Sequence, residues 1–150
     1  MKVVIQRVSD ASVQIDNIVK GSIRKGLLLF IGIGPEDEIS DARWLASKVV
    51  SMRIFEDGMG KMNLSVRDVQ GEILLISQFT LYASTKKGNR PSFNGSAPPE
   101  YAIPLYNQFH QFLKNELQQE IPSGEFGAFM KISLTNDGPV TIILDSKERT

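Results

Sequence analysis

The stretch SQFT at residues 77–80 places two hydroxyls and an amide at the point where a strongly apolar segment, EILLI, ends. Polar residues at the end of a buried strand are placed like the site residues of many α/β enzymes. An ordinary strand end followed by a solvated loop fits the same pattern equally well. The sequence therefore indicates Ser77, Gln78, Phe79 and Thr80 as candidates and leaves both interpretations open.

The chemistry available to these four residues is limited by the absence of a neighbouring base. Thr80 can act as a nucleophile only if a base accepts its proton, and no histidine or carboxylate lies near it in the sequence. Backbone N–H groups of Phe79 and Thr80 need no ionisable side chain to hold a developing oxyanion. The single histidine, His110, lies in a helical stretch off the apolar stripe, and we expect it to face solvent.

A polar loop at 83–97 follows this stretch and carries three cations within five residues: Lys86, Lys87 and Arg90. An irregular loop of this length in a small protein is uncommon and is often functional. Phosphate binding and simple solvation explain the three cations equally well from the sequence alone.

The stretch NDGPVT at 136–141 is the second unusual segment. A hairpin turn between two strands is one ordinary explanation for its Gly138-Pro139 pair. The alternative is a rigid corner with a cis bond, which is accessible because X–Pro bonds have only a small trans preference. Such a corner turns two carbonyl oxygens in one direction, where they can bind an ammonium group.

Two acidic clusters, at 36–38 and 56–57, complete the candidate groups. We expect the first to cap a helix, with Asp37 or Ser40 as the capping residue, and the second to precede a turn. Neither cluster has metal-ligand spacing with a histidine. We therefore expect no metal and no cofactor.

Length and composition limit the number of domains, the kinds of partner and the location of the protein. A chain of 150 residues, 41% of them apolar, is the size of one domain, and we predict a single domain over 1–150. Formal net charge is zero, so anion binding must come from local clusters. The chain has no cysteine, the segment MKVVIQRV is not a signal peptide, and the longest apolar run is too short to span a bilayer. We expect a cytoplasmic protein that does not enter membranes.

Strands and helices are predicted from hydrophobic periodicity. The predicted strands are 2–8, 11–16, 18–24, 26–33, 52–56, 72–79, 127–135 and 140–145. Strands 11–16 and 18–24 form a hairpin around Asp16-Asn17, and the short strand 52–56 precedes a turn at 57–60. One helix follows the stripe that runs from Ile39 to Val50, and a second spans 98–119. We predict a mixed α/β fold, either a layered β/β/α sandwich or a β-roll, with the two helices on one side of a mostly antiparallel sheet.

The two unusual stretches together resemble the D-aminoacyl-tRNA deacylases, also known as D-Tyr-tRNA deacylases. The likeness rests on SQFTLYA and NDGPVT, with MKVVIQRV at the start, and extends to KKGNRPSF and FGAFM, so it covers essentially the whole chain. It implies hydrolysis of the ester between a D-amino acid and the terminal adenosine of tRNA. It also implies a homodimer with active sites at the subunit interface.

The resemblance assigns roles by position. It implies that Ser77, Gln78, Phe79 and Thr80 line the pocket around adenosine and the ester. Gly138 and Pro139 form a cis corner that enters the partner's pocket, and Arg7 braces that corner. Phe129 and Met130 belong to the pocket wall for ribose and adenine. Lys86, Lys87 and Arg90 then meet the phosphates of the acceptor end.

These implied roles suggest how such a protein distinguishes D- from L-amino acids and how the ester is hydrolysed. A rigid corner that excludes the L side chain would accept many D-amino acids and also achiral glycine. The ribose 2′-OH could assist the attacking water, with Thr80 as an acyl-enzyme nucleophile in the alternative mechanism. Two other functions stay open: a dimeric RNA-binding module without catalysis, and an amidase or esterase for free D-amino-acid derivatives.

Overall fold

Seven strands and two helices make up residues 1–149, the part of the chain that the computed structural model describes. The strands are β1 (Lys2–Ile15), β2 (Ile18–Ile23), β3 (Gly26–Gly32), β4 (Phe55–Glu56), β5 (Met62–Leu64), β6 (Glu72–Ser77) and β7 (Lys131–Asp145). The helices are α1 (Ile39–Ser51) and α2 (Pro99–Leu117), and a short 3₁₀ helix covers Phe79–Tyr82. No helix of residues 1–149 has both the length and the apolar character needed to cross a bilayer.

The long strand β1 organises the main sheet. Its first half pairs with β3 and its second half with β2, while β7 pairs with it along both halves. Only β3 and β6 run parallel to each other; every other strand pair among residues 1–149 is antiparallel. The predicted mixed α/β class with a mostly antiparallel sheet is therefore confirmed.

The main sheet is buried on both faces, which explains the continuous apolar runs of β3 and β6. On one face, Ile5, Leu29 and Leu75 join the buried sides of α1 and α2 in the larger core. On the other face, Leu28 and Leu74 join a smaller core to which the second half of β1 and the first half of β7 contribute. The helices thus pack on one side, as predicted.

Strand β1 is longer than the sequence suggested. The predicted break between strands 2–8 and 11–16 is wrong, because β1 continues through Ser9 and Asp10. These two exposed polar residues lie at an irregularity in the pairing with β7, near the point where β1 changes its other neighbour from β3 to β2. The predicted hairpin is confirmed: Asp16 and Asn17 have φ values of 51° and 64°, as a type I′ turn requires.

Helix α1 has the predicted buried stripe but a different cap. Glu38 rather than Asp37 or Ser40 is the N-cap residue, and its N–H donates to Asp41 Oδ2 over 2.8 Å. Helix α2 begins after Pro98 and continues through Pro104. The expectation for His110 is wrong, because its half-buried ring hydrogen-bonds the carbonyl of Ile121 through Nε2 over 2.7 Å.

Candidate active site

The candidate site begins where β6 ends. Ser77 is the last residue of the strand, and the N–H of Gln78 still donates to Ile31 O of β3 over 2.7 Å. The chain then turns at once into the 3₁₀ helix that starts at Phe79. The strand predicted to reach residue 79 therefore ends earlier, and the turn exposes the backbone of Phe79 and Thr80 at the edge of the sheet.

The far end of the 3₁₀ helix is fixed by a buried carboxylate. Tyr82 Oη donates to Asp37 Oδ2 over 3.3 Å, and Asp37 also accepts hydrogen bonds from Gly34 N and the α-amino group of Met1. A Cβ at Gly34 would lie 2.9 Å from Tyr82 Oη, so this approach requires glycine. Burial, followed by the neighbouring Asp37, raises the pKa of Tyr82. Asp37 is thus a buried anchor of the site rather than the helix cap that we expected.

Two backbone donors are free at the start of the 3₁₀ helix. No residue of the described chain accepts a hydrogen bond from the N–H of Phe79 or Thr80, whereas Leu81 N donates to Gln78 O over 3.2 Å. The first N–H groups of a helical turn have no partner within the turn. Both groups are therefore available to an oxygen outside the protein.

The hydroxyl of Thr80 is held by a donor, not by a base. Gln78 Nε2 donates to Thr80 Oγ1 over 2.5 Å, and no carboxylate or histidine of residues 1–149 hydrogen-bonds this oxygen. A nucleophilic hydroxyl needs a group that accepts its proton. The same part of the chain contains no cluster of three His, Asp or Glu side chains able to hold a metal ion.

A cavity of about 480 Å³ opens beside this turn. Three phenyl rings, two serines and an asparagine contribute to its lining: Phe79, Phe93, Phe126, Ser77, Ser96 and Asn94. The rings of Phe79 and Phe93 meet edge to face with centroids 5.1 Å apart. An aromatic wall with a few polar groups is typical of a site that stacks a nucleobase.

The segment 122–127 contributes a second part of the cavity wall. Leu75 N donates to Pro122 O, and Gly124 N donates to Leu75 O, so the segment lies along the edge of β6. This contact carries Phe126 and Gly127 to the cavity, and sequence reasoning missed both as individual residues. Their only signal was the FGAFM stretch that contributed to the resemblance.

The structure places Phe129 and Met130 differently from each other. Met130 is half-buried and packs on Gly124, where a Cβ would lie 2.3 Å from its sulfur. Phe129 is 85% exposed and lines a separate cavity of about 200 Å³ beside Asp16 and Asn17. Neither residue is among those that line the larger cavity.

The basic loop, residues 83–97, is closed at its base rather than structureless. Ser84 and Ser92 exchange two backbone hydrogen bonds of 2.8 Å. Lys86, Lys87 and Arg90 are exposed between them, and none of the three forms an ion pair with a residue in the described chain. The same loop contains Phe93, Asn94 and Ser96, which line the cavity. The three cations therefore lie on a segment that also forms part of the cavity wall.

The stretch at 136–141 is not a hairpin turn. Both of its ends pair with β1, Asn136 with Val8 and Thr141 with Gln6, so residues 137–140 bulge out of β7 as the bulge segment. Two separate strands were predicted here, and the structure has one interrupted strand that starts at Lys131 instead of residue 127. The Gly138-Pro139 bond is cis, and Gly138 has a φ of 150° that favours glycine.

Arg7 reaches the bulge segment from β1. Arg7 is 6% exposed, and its guanidinium donates from Nε to Asp137 O and from Nη1 to Ile54 O, each over 2.8 Å. The structure therefore brings the Arg7 guanidinium to the backbone directly before Gly138 and Pro139. None of these three residues lines the 480 Å³ cavity, so the cavity and the Gly138-Pro139 corner are separate parts of the subunit surface.

Comparison with known proteins identifies the family of this chain. Residues 4–145 match the family model described as D-Tyr-tRNA(Tyr) deacylase. The chain belongs to this family. It is 57% identical over 149 residues to the D-aminoacyl-tRNA deacylase of Flavobacterium psychrophilum, and 56% identical over 149 residues to that of Akkermansia muciniphila, with 99% of each chain covered in both pairs.

Solved structures of the family share the fold. A structure titled c-Myc DNA Unwinding Element Binding Protein matches with a TM-score of 0.90 and 40% identity over 97% of this chain and 98% of that one. A probable eukaryotic D-amino acid tRNA deacylase matches with a TM-score of 0.83 at 16% identity, covering 95% and 97%, and supports the fold alone. The resemblance to the D-aminoacyl-tRNA deacylases is confirmed at the level of the family.

Proposed function

We propose that the protein hydrolyses the ester bond between a D-amino acid and the terminal adenosine of tRNA, releasing the free D-amino acid and tRNA. Membership of the deacylase family supports this activity and a tRNA substrate. The observation that carries the proposal is the pair of free N–H groups at Phe79 and Thr80, at the rim of an aromatic cavity. Donors of this kind stabilise the oxyanion that forms when an ester is attacked.

The adenosine end of the substrate occupies the 480 Å³ cavity. Phe79, Phe93 and Phe126 offer ring faces and edges to the adenine, and Ser77 and Asn94 offer hydrogen bonds to the sugar. The resemblance assigns Phe129 and Met130 to contacts with the ribose and adenine as well. Within one subunit neither residue lines this cavity, so these contacts lie outside it. The ester carbonyl then lies at the N–H groups of Phe79 and Thr80.

The attacking group is water, assisted by the RNA. Its oxygen bonds to the ester carbonyl carbon, the bond from that carbon to the ribose 3′ oxygen breaks, and the proton released by water passes to the 3′ oxygen. The adjacent 2′-OH orients the water and relays this proton. The structure supports RNA assistance over an acyl-enzyme because Thr80 Oγ1 already accepts a hydrogen bond from Gln78 and no base contacts it. No metal or cofactor takes part in this scheme.

The functional unit is a homodimer with both active sites at the interface. Within one subunit the Gly138-Pro139 corner is exposed and does not line the cavity, so it is free to enter the cavity of a partner. Strand β7, which carries the corner, also exposes Ile143 at 66%, and Phe129 precedes the strand at 85% exposure. Large exposed apolar side chains of this kind are typical of subunit contacts.

The corner provides the chiral filter. A backbone corner of the partner binds the α-ammonium group through carbonyl oxygens and occupies the space into which an L side chain would project. Specificity by exclusion does not depend on the side chain itself, so many D-amino acids are substrates. Glycine has no side chain to exclude, and glycyl-tRNA is therefore a substrate as well.

The remaining contacts follow from charge. Lys86, Lys87 and Arg90 of the basic loop bind the phosphates of the acceptor end, since they are exposed and free of protein partners in the described chain.

The chain acts as a single domain over 1–150. It works in the cytoplasm, where aminoacyl-tRNA is used for translation.

The deciding experiment compares hydrolysis of D-Tyr-tRNA, L-Tyr-tRNA and Gly-tRNA by the purified protein, with a chelator control. We expect rapid loss of the D and glycyl esters with the L ester spared. If tRNA is bound and no ester is cleaved, the non-catalytic RNA-binding module becomes the better explanation. Cleavage of free D-amino-acid esters at the same rate as D-Tyr-tRNA would favour the small-molecule esterase.

A further inference from the structure

The bulge segment needs hydrogen-bond partners that the sheet does not supply. Between the paired residues Gln6 and Val8 of β1 there is one residue, Arg7, whereas β7 has four residues between Asn136 and Thr141. The backbone groups of these four residues cannot follow the ladder, and those that are buried require other partners. Val140, the last of the four, is 9% exposed.

The side chain of Asn136 supplies these partners at the end of the bulge. Its Oδ1 accepts from Val140 N over 2.8 Å, and its Nδ2 donates to Val140 O over 3.3 Å. The side-chain amide of Asn136 thus hydrogen-bonds both the backbone N–H and the backbone carbonyl of Val140, as a neighbouring strand would. Nδ2 also donates to Thr141 Oγ1 over 3.1 Å, and Gln6 Nε2 donates to the same hydroxyl over 3.4 Å.

Arg7 holds the opposite end of the same segment. Its Nε donates to Asp137 O, the first residue of the bulge, while Asn136 holds Val140, the last. Only Gly138 and Pro139 lie between these two fixed points, and both are exposed. The direction of their carbonyl groups is therefore set from both ends.

We propose that Asn136 is a positioning residue for chiral discrimination: its side-chain amide clamps Val140 and thereby fixes the Gly138-Pro139 corner. The proposal rests on the proposed function for its effect on substrates, since the corner is the element that excludes L-amino acids. Asparagine is the residue the geometry requires, because aspartate lacks the donor to Val140 O and alanine lacks both groups. A corner released at one end moves its carbonyl groups and opens space for an L side chain.

The first test measures the clamp without using catalysis. Asn136→Ala removes the acceptor for Val140 N–H, and hydrogen exchange of that amide should accelerate at least tenfold. The matched control is Asn115→Ala on α2, whose side-chain amide accepts from Gln111, far along the chain from the bulge. Unchanged exchange at Val140 in a folded Asn136→Ala variant would overturn the clamp itself, whatever the activity of the protein.

The second test measures discrimination. The ratio of D-Tyr-tRNA to L-Tyr-tRNA hydrolysis should fall at least tenfold in Asn136→Ala, while the control keeps the ratio of the unchanged protein. Asn136→Asp retains the acceptor alone and should give an intermediate ratio, which also serves if the alanine variant fails to fold. A faster Val140 exchange with an unaltered D-to-L ratio would overturn the role in discrimination. If the proposed function itself is wrong, the result is different: the protein without any substitution cleaves no D ester.

Discussion

Gln78 Nε2 donates a hydrogen bond to Thr80 Oγ1 across 2.5 Å, two residues apart at the end of β6. The partner of the hydroxyl is therefore a donor, which cannot accept the proton that Thr80 would have to lose in an acyl-enzyme mechanism. The contact leaves the N–H of Thr80 unaffected, so the residue can serve through its backbone alone. The two mechanisms for the ester therefore make opposite predictions for the Thr80 side chain.

Thr80→Ala should retain D-Tyr-tRNA hydrolysis with kcat/KM within about threefold of the unchanged protein, because the backbone N–H remains. Single-turnover hydrolysis is the measurement. Gln78→Ala serves as the companion variant, since it removes the partner of the hydroxyl and keeps Thr80. If Thr80→Ala is folded and loses about 10³-fold or more, the hydroxyl is the nucleophile and the RNA-assisted mechanism is wrong.

The substrate itself provides a second test of the same mechanism. Replacing the 2′-OH of the terminal adenosine by hydrogen should slow hydrolysis by about 10²–10⁴-fold, the usual range for a group that transfers a proton in the transition state. Binding should change little, because the phosphates and the adenine are unaltered. The control substrate carries the same deoxy change at the penultimate nucleotide. Equal rates for the two substrates would exclude a role for the terminal 2′-OH.

Arg7 gives a prediction about the Gly138-Pro139 corner. Arg7→Lys cannot reproduce two directed bonds to the carbonyls of Asp137 and Ile54, because an ammonium lacks the fork of a guanidinium. We expect a loss of about 1.5–3 kcal/mol in the free energy of unfolding and a fall in D-ester hydrolysis. Urea unfolding and the D-Tyr-tRNA assay measure the two effects.

The matched control for Arg7 is Arg24→Lys on the surface, where the side chain is 92% exposed. This variant should keep both stability and activity, since an exposed ion pair contributes little. An Arg7→Lys protein that behaves like the Arg24→Lys protein would show that the corner does not depend on Arg7.

The basic loop predicts a salt effect. Changing Lys86, Lys87 and Arg90 to alanine should weaken tRNA binding and reduce the slope of log K against log salt concentration by roughly 2, because about three phosphate contacts are lost. The control changes Arg43, Lys48 and Lys114 of the two helices, which removes the same charge. An equal effect of both triple variants would mean that general charge, rather than the basic loop, sets the salt dependence.

The sequence predicted the parts of the fold that depend on local patterns. Alternating and continuous apolar runs located β3 and β6, helical spacing located α1, and Asp16-Asn17 located the hairpin. The 3₁₀ helix at Phe79–Tyr82 was missed because one short turn leaves no periodic signal. Its anchor, Asp37, was missed because the contact to Tyr82 joins residues 45 positions apart.

The candidate site was predictable only where a motif lies within one short stretch. Ser77 and Phe79 were found and do line the cavity, yet Phe126 reaches it only because the segment 122–127 lies along β6. The clamp by Asn136 was missed for a related reason. A bulge is defined by the register against β1, whose paired residue Val8 lies far away in the sequence. Local patterns do not contain that register.

The ionic contacts at the start of α1 predict how stability depends on pH. Burial by itself raises the pKa of Asp41, but hydrogen bonds from Lys147 Nζ, Glu38 N and Ser146 outweigh it and lower the pKa to about 2. A carboxyl whose pKa is lower in the folded than in the unfolded state stabilises the fold above its unfolded pKa. This contribution is fully present above pH 4 and should be lost as the pH falls from 4 toward 2.

Asp41→Asn tests this assignment. The substitution keeps an oxygen for Glu38 N and replaces the charge that Lys147 contacts over 2.8 Å, so we expect a loss of roughly 1.5–3 kcal/mol at pH 7. Urea unfolding at a series of pH values should show the two proteins converging as the pH approaches 2. Glu120→Gln is the control, because that carboxylate also pairs with a lysine, Lys114, but is 86% exposed, and an exposed ion pair contributes little to stability. A constant difference between Asp41→Asn and the unchanged protein from pH 7 to pH 2 would show that the Asp41 charge does not stabilise the fold.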